Sequence, residues 1–116
     1  MRKLNELQKN ELYSNLYGFY GKLLTKRQQD YFEDYYYSDL SLGEIADNHG
    51  VSRQAVFDNL KRSCKLLNNF EAKLRMKSDY DFFEQSLQKC IDSLNVNDYV
   101  ATQSVIEVML SRLKGE

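Results

Sequence analysis

Ser52, Arg53, Gln54, Lys61, Arg62 and Lys65 have the side-chain types that hold and read a nucleic acid. The guanidinium fork of Arg matches the O6 and N7 edge of guanine, and the carboxamide of Gln matches the N6 and N7 edge of adenine. A serine hydroxyl at a helix N-terminus suits a phosphate, because the first backbone N–H groups of a helix have no partner within it. Lys61, Arg62 and Lys65 suit the sugar-phosphate backbone, whose contacts position a protein without reading sequence. At about 100° per residue, a helix through this stretch sets Gln54, Asp58, Lys61 and Lys65 opposite Val56 and Leu60, with Arg62 flanking. Ser52 and Arg53 then sit at its tip, where a recognition helix enters the major groove. Asp58 tempers this reading, since it has the spacing to pair with Lys61 or Arg62 and turn part of the face into ordinary solvated surface. Phe57 falls at the edge of the face and is expected to pack on the preceding helix.

The other reactive residue types form no catalytic set. His49 is the sole histidine and lies in a turn, and there is no phosphate-cradling glycine loop, no paired-ligand spacing and no nucleophile with an activating partner. We therefore expect no enzymatic activity, no metal and no cofactor. Cys64 and Cys90 lie 26 positions apart on apolar helical phases, without a CxxC pair, and read as buried free thiols.

Helices must position these residues, and the composition favours helices. The chain has 116 residues, 42% apolar and 28% charged, with no proline and five glycines, which fits one all-α domain over residues 1–116. The charged start MRKLNELQKNEL resembles neither a signal peptide nor a membrane span, so a cytoplasmic location without membrane contact is expected. Charge is distributed in blocks: +4 over residues 1–29, −6 over 30–50, +5 over 51–77 and −4 over 78–116. Only the two basic blocks can attract a polyanion.

Apolar residues at three- and four-residue steps place a first helix from about Asn5 to Tyr20, through Leu4, Leu7, Leu12, Leu16, Phe19/Tyr20 and Leu23, weakened at its end by Gly18 and Gly21. Thr25 and Gln28 form a capping box for a second helix, whose stripe is Tyr31, Phe32, Tyr35 and Tyr36. Of this tyrosine cluster, Tyr37 is the residue expected to face outward. Ser41 and Glu44 form a second capping box, with Leu40 and Ile45 at staple spacing, and Gly50 ends that short third helix in a left-handed turn. Ser52 caps a fourth helix, with Val51 and Val56 as its staple, and Val56, Leu60, Ser63, Leu67, Phe70 and Leu74 continue its stripe for nearly three heptads. Near Lys77-Ser78-Asp79 the phase changes to Tyr80, Phe83, Leu87, Cys90/Ile91 and Leu94; either the helix bends or a new one starts with Ser78 or Asp79 as cap. Asn95-Val96-Asn97-Asp98 then turns into a last helix carrying Val105/Ile106, Met109/Leu110 and Leu113.

With Ala46 small enough for close approach, residues 41–62 have helix-turn-helix geometry. The stretch L-T-x-R-Q at 24–28, the acidic aromatic helix and S-L-G-E-I-A-D-N-H-G-V-S-R-Q-A-V at 41–56 resemble the promoter-reading region 4 of bacterial sigma factors. Over nearly its full length the chain is similar to the YlxM family of small bacterial proteins. That resemblance implies five or six helices: a sigma-region-4-like core, a long fourth helix and a helical extension over about 66–114 ending in a C-terminal hairpin. It also implies a regulator linked to the signal recognition particle pathway, with the targeting GTPase or the particle RNA as partners, because the family's gene lies beside those of the targeting GTPases.

The fourth helix outruns a recognition helix, so its stem, Leu67, Phe70 and Leu74, needs a cover. The C-terminal hairpin of the same chain is one candidate; the same stem of a second copy is the other and gives the homodimer we expect, with half-sites about 34 Å apart. Three functions follow as expectations. The first is regulation in the signal recognition particle pathway, the second direct DNA-binding transcriptional control. The third is a protein-interaction module in which Asp30, Glu33 and Asp34 meet a basic partner and the helix-turn-helix is scaffold.

Overall fold

The computed structural model describes residues 2–116, with side chains from Asn10 onward. Helix α1 spans Arg2–Tyr20, α2 Lys26–Phe32, α3 Leu42–His49, α4 Arg53–Leu74, α5 Met76–Asn95 and α6 Tyr99–Leu113. A 3-10 turn at Gly21–Leu23 follows α1, and a π-helical turn at Glu33–Tyr37 follows α2. The described residues contain no strand, and no helix among them is long and apolar enough to cross a membrane. Two compact units divide the chain, one ending at Lys77 and one covering Ser78–Glu116.

The first unit is built on α4, against which α1, α2 and α3 pack. Its core joins Leu16, Tyr20 and Leu24 to Tyr31 and Phe32, to Ile45 and Ala46, and to Val56, Leu60 and Leu67. The expected contributions of Leu4 and Leu7 lie outside the described side chains, and Leu12 and Leu23 are exposed. Gly21 is required where it stands: a Cβ there would come within 2.8 Å of the Tyr17 ring. That ring stacks on Phe32 at 4.3 Å between centroids, so the glycine lets α1 close on α2.

Both capping boxes form. Thr25 Oγ1 accepts from Gln28 N at 3.2 Å and Ser41 Oγ from Glu44 N at 3.1 Å, each glutamine or glutamate reaching back to the cap N–H. The π-helical turn, closed by Ser38 N donating to Glu33 O at 3.0 Å, separates three consecutive tyrosines. Tyr36 stacks on Phe32, whereas Tyr37 remains 54% exposed, as its position in the cluster suggests.

The phase change falls earlier than the sequence places it. Arg75, in left-handed geometry at φ 57°, ends α4, and α5 starts at Met76 rather than at Ser78 or Asp79. One of the two groups that hold this start comes from far away in sequence. Tyr20 Oη accepts from Met76 N at 2.9 Å and donates to Glu71 Oε1 at 2.5 Å, and Glu71 Oε1 accepts from Lys77 N at 3.0 Å. Burial and then the bond to Glu71 push the Tyr20 phenol up from its ordinary value, so the hydroxyl keeps the proton it donates.

In the second unit α5 and α6 form a helical hairpin, turned through Asn97 at φ 57° and capped by Asp98, whose carboxylate accepts from Ala101 N at 3.0 Å. Arg112 ties the two helices together, donating to Asp79 at 2.8 Å and lying 4.3 Å above the Phe82 ring. The buried residues of these helices, Ser86, Cys90 and Thr102, are all small.

Candidate nucleic-acid interface

α3 and α4 meet as a helix-turn-helix. Gly50 adopts φ 65° and donates its N–H to Ala46 O, and Val51 N donates to Ala46 O at 3.1 Å, so the chain reverses within three residues of the end of α3. Ser52 is extended, and its Oγ accepts from Ala55 N at 3.0 Å. Ile45 and Val56, one from each helix, are both sealed in the core and fix the angle at which α4 leaves it.

The six residues singled out in the sequence are all exposed, at the cap of α4 or along it. Ser52, Arg53 and Gln54 are exposed at the N-terminal tip of α4, and Lys61, Arg62 and Lys65 are exposed further along it. Twelve residues separate Arg53 from Lys65, about 18 Å at the helical rise. The expected pairing of Asp58 with Lys61 or Arg62 is not made. Asp58 instead accepts from Gln54 Nε2 at 3.0 Å, one turn back, and among the described residues Arg53, Lys61, Arg62 and Lys65 enter no ion pair.

The Gln54–Asp58 bond changes the chemistry of the tip. A carboxamide has two N–H donors and a carbonyl oxygen. With one donor held by Asp58, the other donor and the oxygen remain for an adenine edge, and the side chain is aimed. Asp58 thus has a partner, Gln54, that the sequence pattern did not single out. The i to i+4 spacing of Gln and Asp on a helix was the signal that could have found it.

Phe57 is only partly covered. It is 46% exposed and, with Leu42, Tyr13, Tyr35, Cys64 and Lys61, borders an open groove of about 340 Å³ beside the basic face. Cys64 is a free thiol, 3.5 Å from Tyr36 Oη, and burial pushes its pKa up from the ordinary thiol value.

The acidic stretch before the motif is largely paired within the unit. Lys26 holds Asp30 at 2.7 Å, Tyr17 donates to Glu33 at 2.5 Å, and Asp34 meets His49 Nε2 at 3.1 Å. His49 also sets its ring edge-on to Tyr31 at 4.8 Å, so the lone histidine fastens the end of α3 to the acidic turn.

The stem residues are covered differently from expectation. Leu67 has no exposed surface, lying in the same core cluster as Leu16 and Tyr20, and Phe70 packs on Tyr20 at 5.9 Å between ring centroids. α1 thus covers both. Leu74 alone of the three is open, at 51% exposure.

Comparison with known proteins agrees with this geometry. The pattern of the UPF0122 family, described as "Putative helix-turn-helix protein, YlxM / p13 like", matches residues 7–108. UPF0122 proteins of Streptococcus thermophilus and Streptococcus agalactiae are each 42% identical over 106 residues, covering 88% of this chain and 96% of theirs. One from Streptococcus pneumoniae is 42% identical over 106 residues, with 91% of this chain and 94% of its own covered. The helix-turn-helix seen in the structure, the match over most of the sequence and relatives at this identity lead to one assignment: the chain belongs to the UPF0122 family of YlxM/p13-like helix-turn-helix proteins.

Proposed function

We propose that the protein is a non-enzymatic cytoplasmic regulator that binds nucleic acid through the outward face of α4. The observation that carries this reading is the set of four cations exposed on α4, Arg53 at its tip and Lys61, Arg62 and Lys65 further along, without acidic partners among the described residues, behind a Ser52-capped N-terminus. The target the geometry favours is duplex DNA, because the major groove of B-DNA admits a helix and that of A-form RNA does not. The resemblance to YlxM directs the regulation to the signal recognition particle pathway. The genes of that pathway are the first DNA to try, with the particle RNA and the targeting GTPase as the other candidate partners. Asp30, Glu33 and Asp34 are engaged by Lys26, Tyr17 and His49, which favours this reading over an acidic docking face for a basic partner.

The test is a salt titration of binding to duplex DNA. Arg53→Ala and Gln54→Ala are expected to change sequence preference. Lys61→Ala and Lys65→Ala are expected to weaken binding to all sequences and to lower the salt slope by about one each. If the lysine variants alter the slope and the tip variants leave preference unchanged, the target is held by phosphates alone, as helical RNA would be. If none of the four alters binding at low salt, the proposal is wrong.

A further inference from the structure

The hairpin Ser78–Glu116 is a unit of 39 residues, and units this small rarely hold together without a disulfide, a metal or association. Its sequence has one cysteine, Cys90, and no histidine, so the first two aids are poorly supplied. Its buried residues are small, whereas eleven of the eighteen large apolar side chains exposed among the described residues belong to it. Four of the eleven, Leu87, Ile106, Leu110 and Leu113, come together with the less exposed Phe83 and Met109 to line one groove between α5 and α6, without a charged residue among them. The fastening contacts, Arg112 to Asp79 and Ser93 to Thr102, are polar and do not cover this face.

We infer that this face is an interface between two copies of the chain, each hairpin contributing two helices to a four-helix bundle. An uncharged lining suits a self-complementary face: across a two-fold axis residue i meets j and j meets i, and the residues nearest the axis meet their own counterparts, where a charge would meet its like. A basic partner, in contrast, would require acidic residues in the lining. The size is adequate too. Helices of 20 and 15 residues laid side by side give a face about 25 Å by 20 Å in projection, and its corrugated accessible surface approaches the roughly 800 Å² per partner of a standard interface. The unit carries a net charge of −4, so two copies repel at long range and added salt favours their association. Nucleic-acid binding has the opposite salt dependence, and the dimer does not rest on that binding.

The test is the mass of the full chain by light scattering and sedimentation, from low to high micromolar concentration and at low and high salt. The expected result is a species of twice 13.7 kDa whose share rises with concentration and with salt. A mass of 13.7 kDa at all concentrations overturns the inference, and so does a dimer that salt dissociates. Leu87→Glu with Leu110→Glu is expected to halve the mass, whereas Leu74→Glu on the stem is expected to leave it unchanged; the reverse pattern moves the interface to α4 and overturns the assignment. Because the double variant disturbs the hairpin itself, the unaltered protein provides a second readout. In a mixture of isotope-labelled and unlabelled copies, intermolecular nuclear Overhauser effects are expected at the Leu87, Met109 and Leu110 methyls. Their absence in a sample of doubled mass overturns the location.

Discussion

The two units handle apolar surface in opposite ways. Up to Lys77, large side chains such as Leu16, Tyr20, Phe32, Ile45 and Leu67 are sealed between four helices and keep almost no contact with solvent. From Ser78 onward, α5, amphipathic like α4, and α6, whose apolar residues spread further around the helix, bury only small residues and leave Leu87, Ile106 and Leu110 about half exposed. Periodicity is similar in α4 and α5, so a stripe in the sequence identifies a face and not what covers it. Coverage depends on how many other helices the same unit supplies.

The largest test of this contrast is a pair of truncations. Phe32→Ala removes a ring with no exposed surface, stacked on Tyr17 and Tyr36, and is expected to cost about 3–5 kcal/mol, enough to unfold much of the first unit. Val100→Ala, at a side chain 79% exposed, is expected to change stability by less than about 0.5 kcal/mol. Thermal melting followed by circular dichroism measures both. Similar losses would mean that the two units do not differ as described.

Next in size is the start of α5. Tyr20→Phe keeps the ring in the core but deletes the acceptor of Met76 N–H and the donor to Glu71, and is expected to cost about 1–3 kcal/mol. Hydrogen exchange locates the effect: the Met76 and Lys77 amides should lose protection before those of the α4 core positions. If protection at these amides is unchanged, Tyr20 does not cap α5.

These cases show what could be read from sequence. Thr25/Gln28, Ser41/Glu44, Ser52, Gly50 and the stripe Val56, Leu60, Ser63, Leu67 are local signals, each complete within a few residues, and the structure keeps all of them. The break at Arg75 is not legible locally, because the group that accepts from Met76 N belongs to Tyr20, 56 residues earlier. The π-helical turn lies in EDYYY, where neither glycine nor proline marks it. At the candidate interface the basic residues were legible by type and phase. The choice of Asp58 between Gln54 and the lysines was not, since all have permitted spacings.

Helix caps should be worth the same in both units, because a cap acts within its own turn whatever covers the helix. Ser41→Ala and Asp98→Ala each delete an oxygen that accepts a backbone N–H at about 3 Å, and each is expected to cost about 1 kcal/mol. Denaturant midpoints of the two variants measure this. A much larger loss for either would show that its side chain does more than cap.

The smallest effects should differ in sign between the units. Ser63 is fully buried on α4, and among the described residues its Oγ has no hydrogen-bond partner. In the hairpin, Thr102 is buried but satisfied: its Oγ1 donates to Asp98 O at 3.0 Å and meets Ser93 Oγ. An unsatisfied buried hydroxyl carries its full desolvation cost, and alanine is also the better helix former. Ser63→Ala is therefore expected to stabilise by about 0.5–1 kcal/mol, the small loss of packing from one oxygen offsetting part of the gain. Thr102→Val keeps the shape but deletes bonded donors and acceptors, and is expected to destabilise by about 0.5–1.5 kcal/mol. Urea unfolding of the two variants reads both signs. A destabilised Ser63→Ala would mean that a bound water satisfies its hydroxyl in solution, and the core of the first unit would then be less dry than its packing implies.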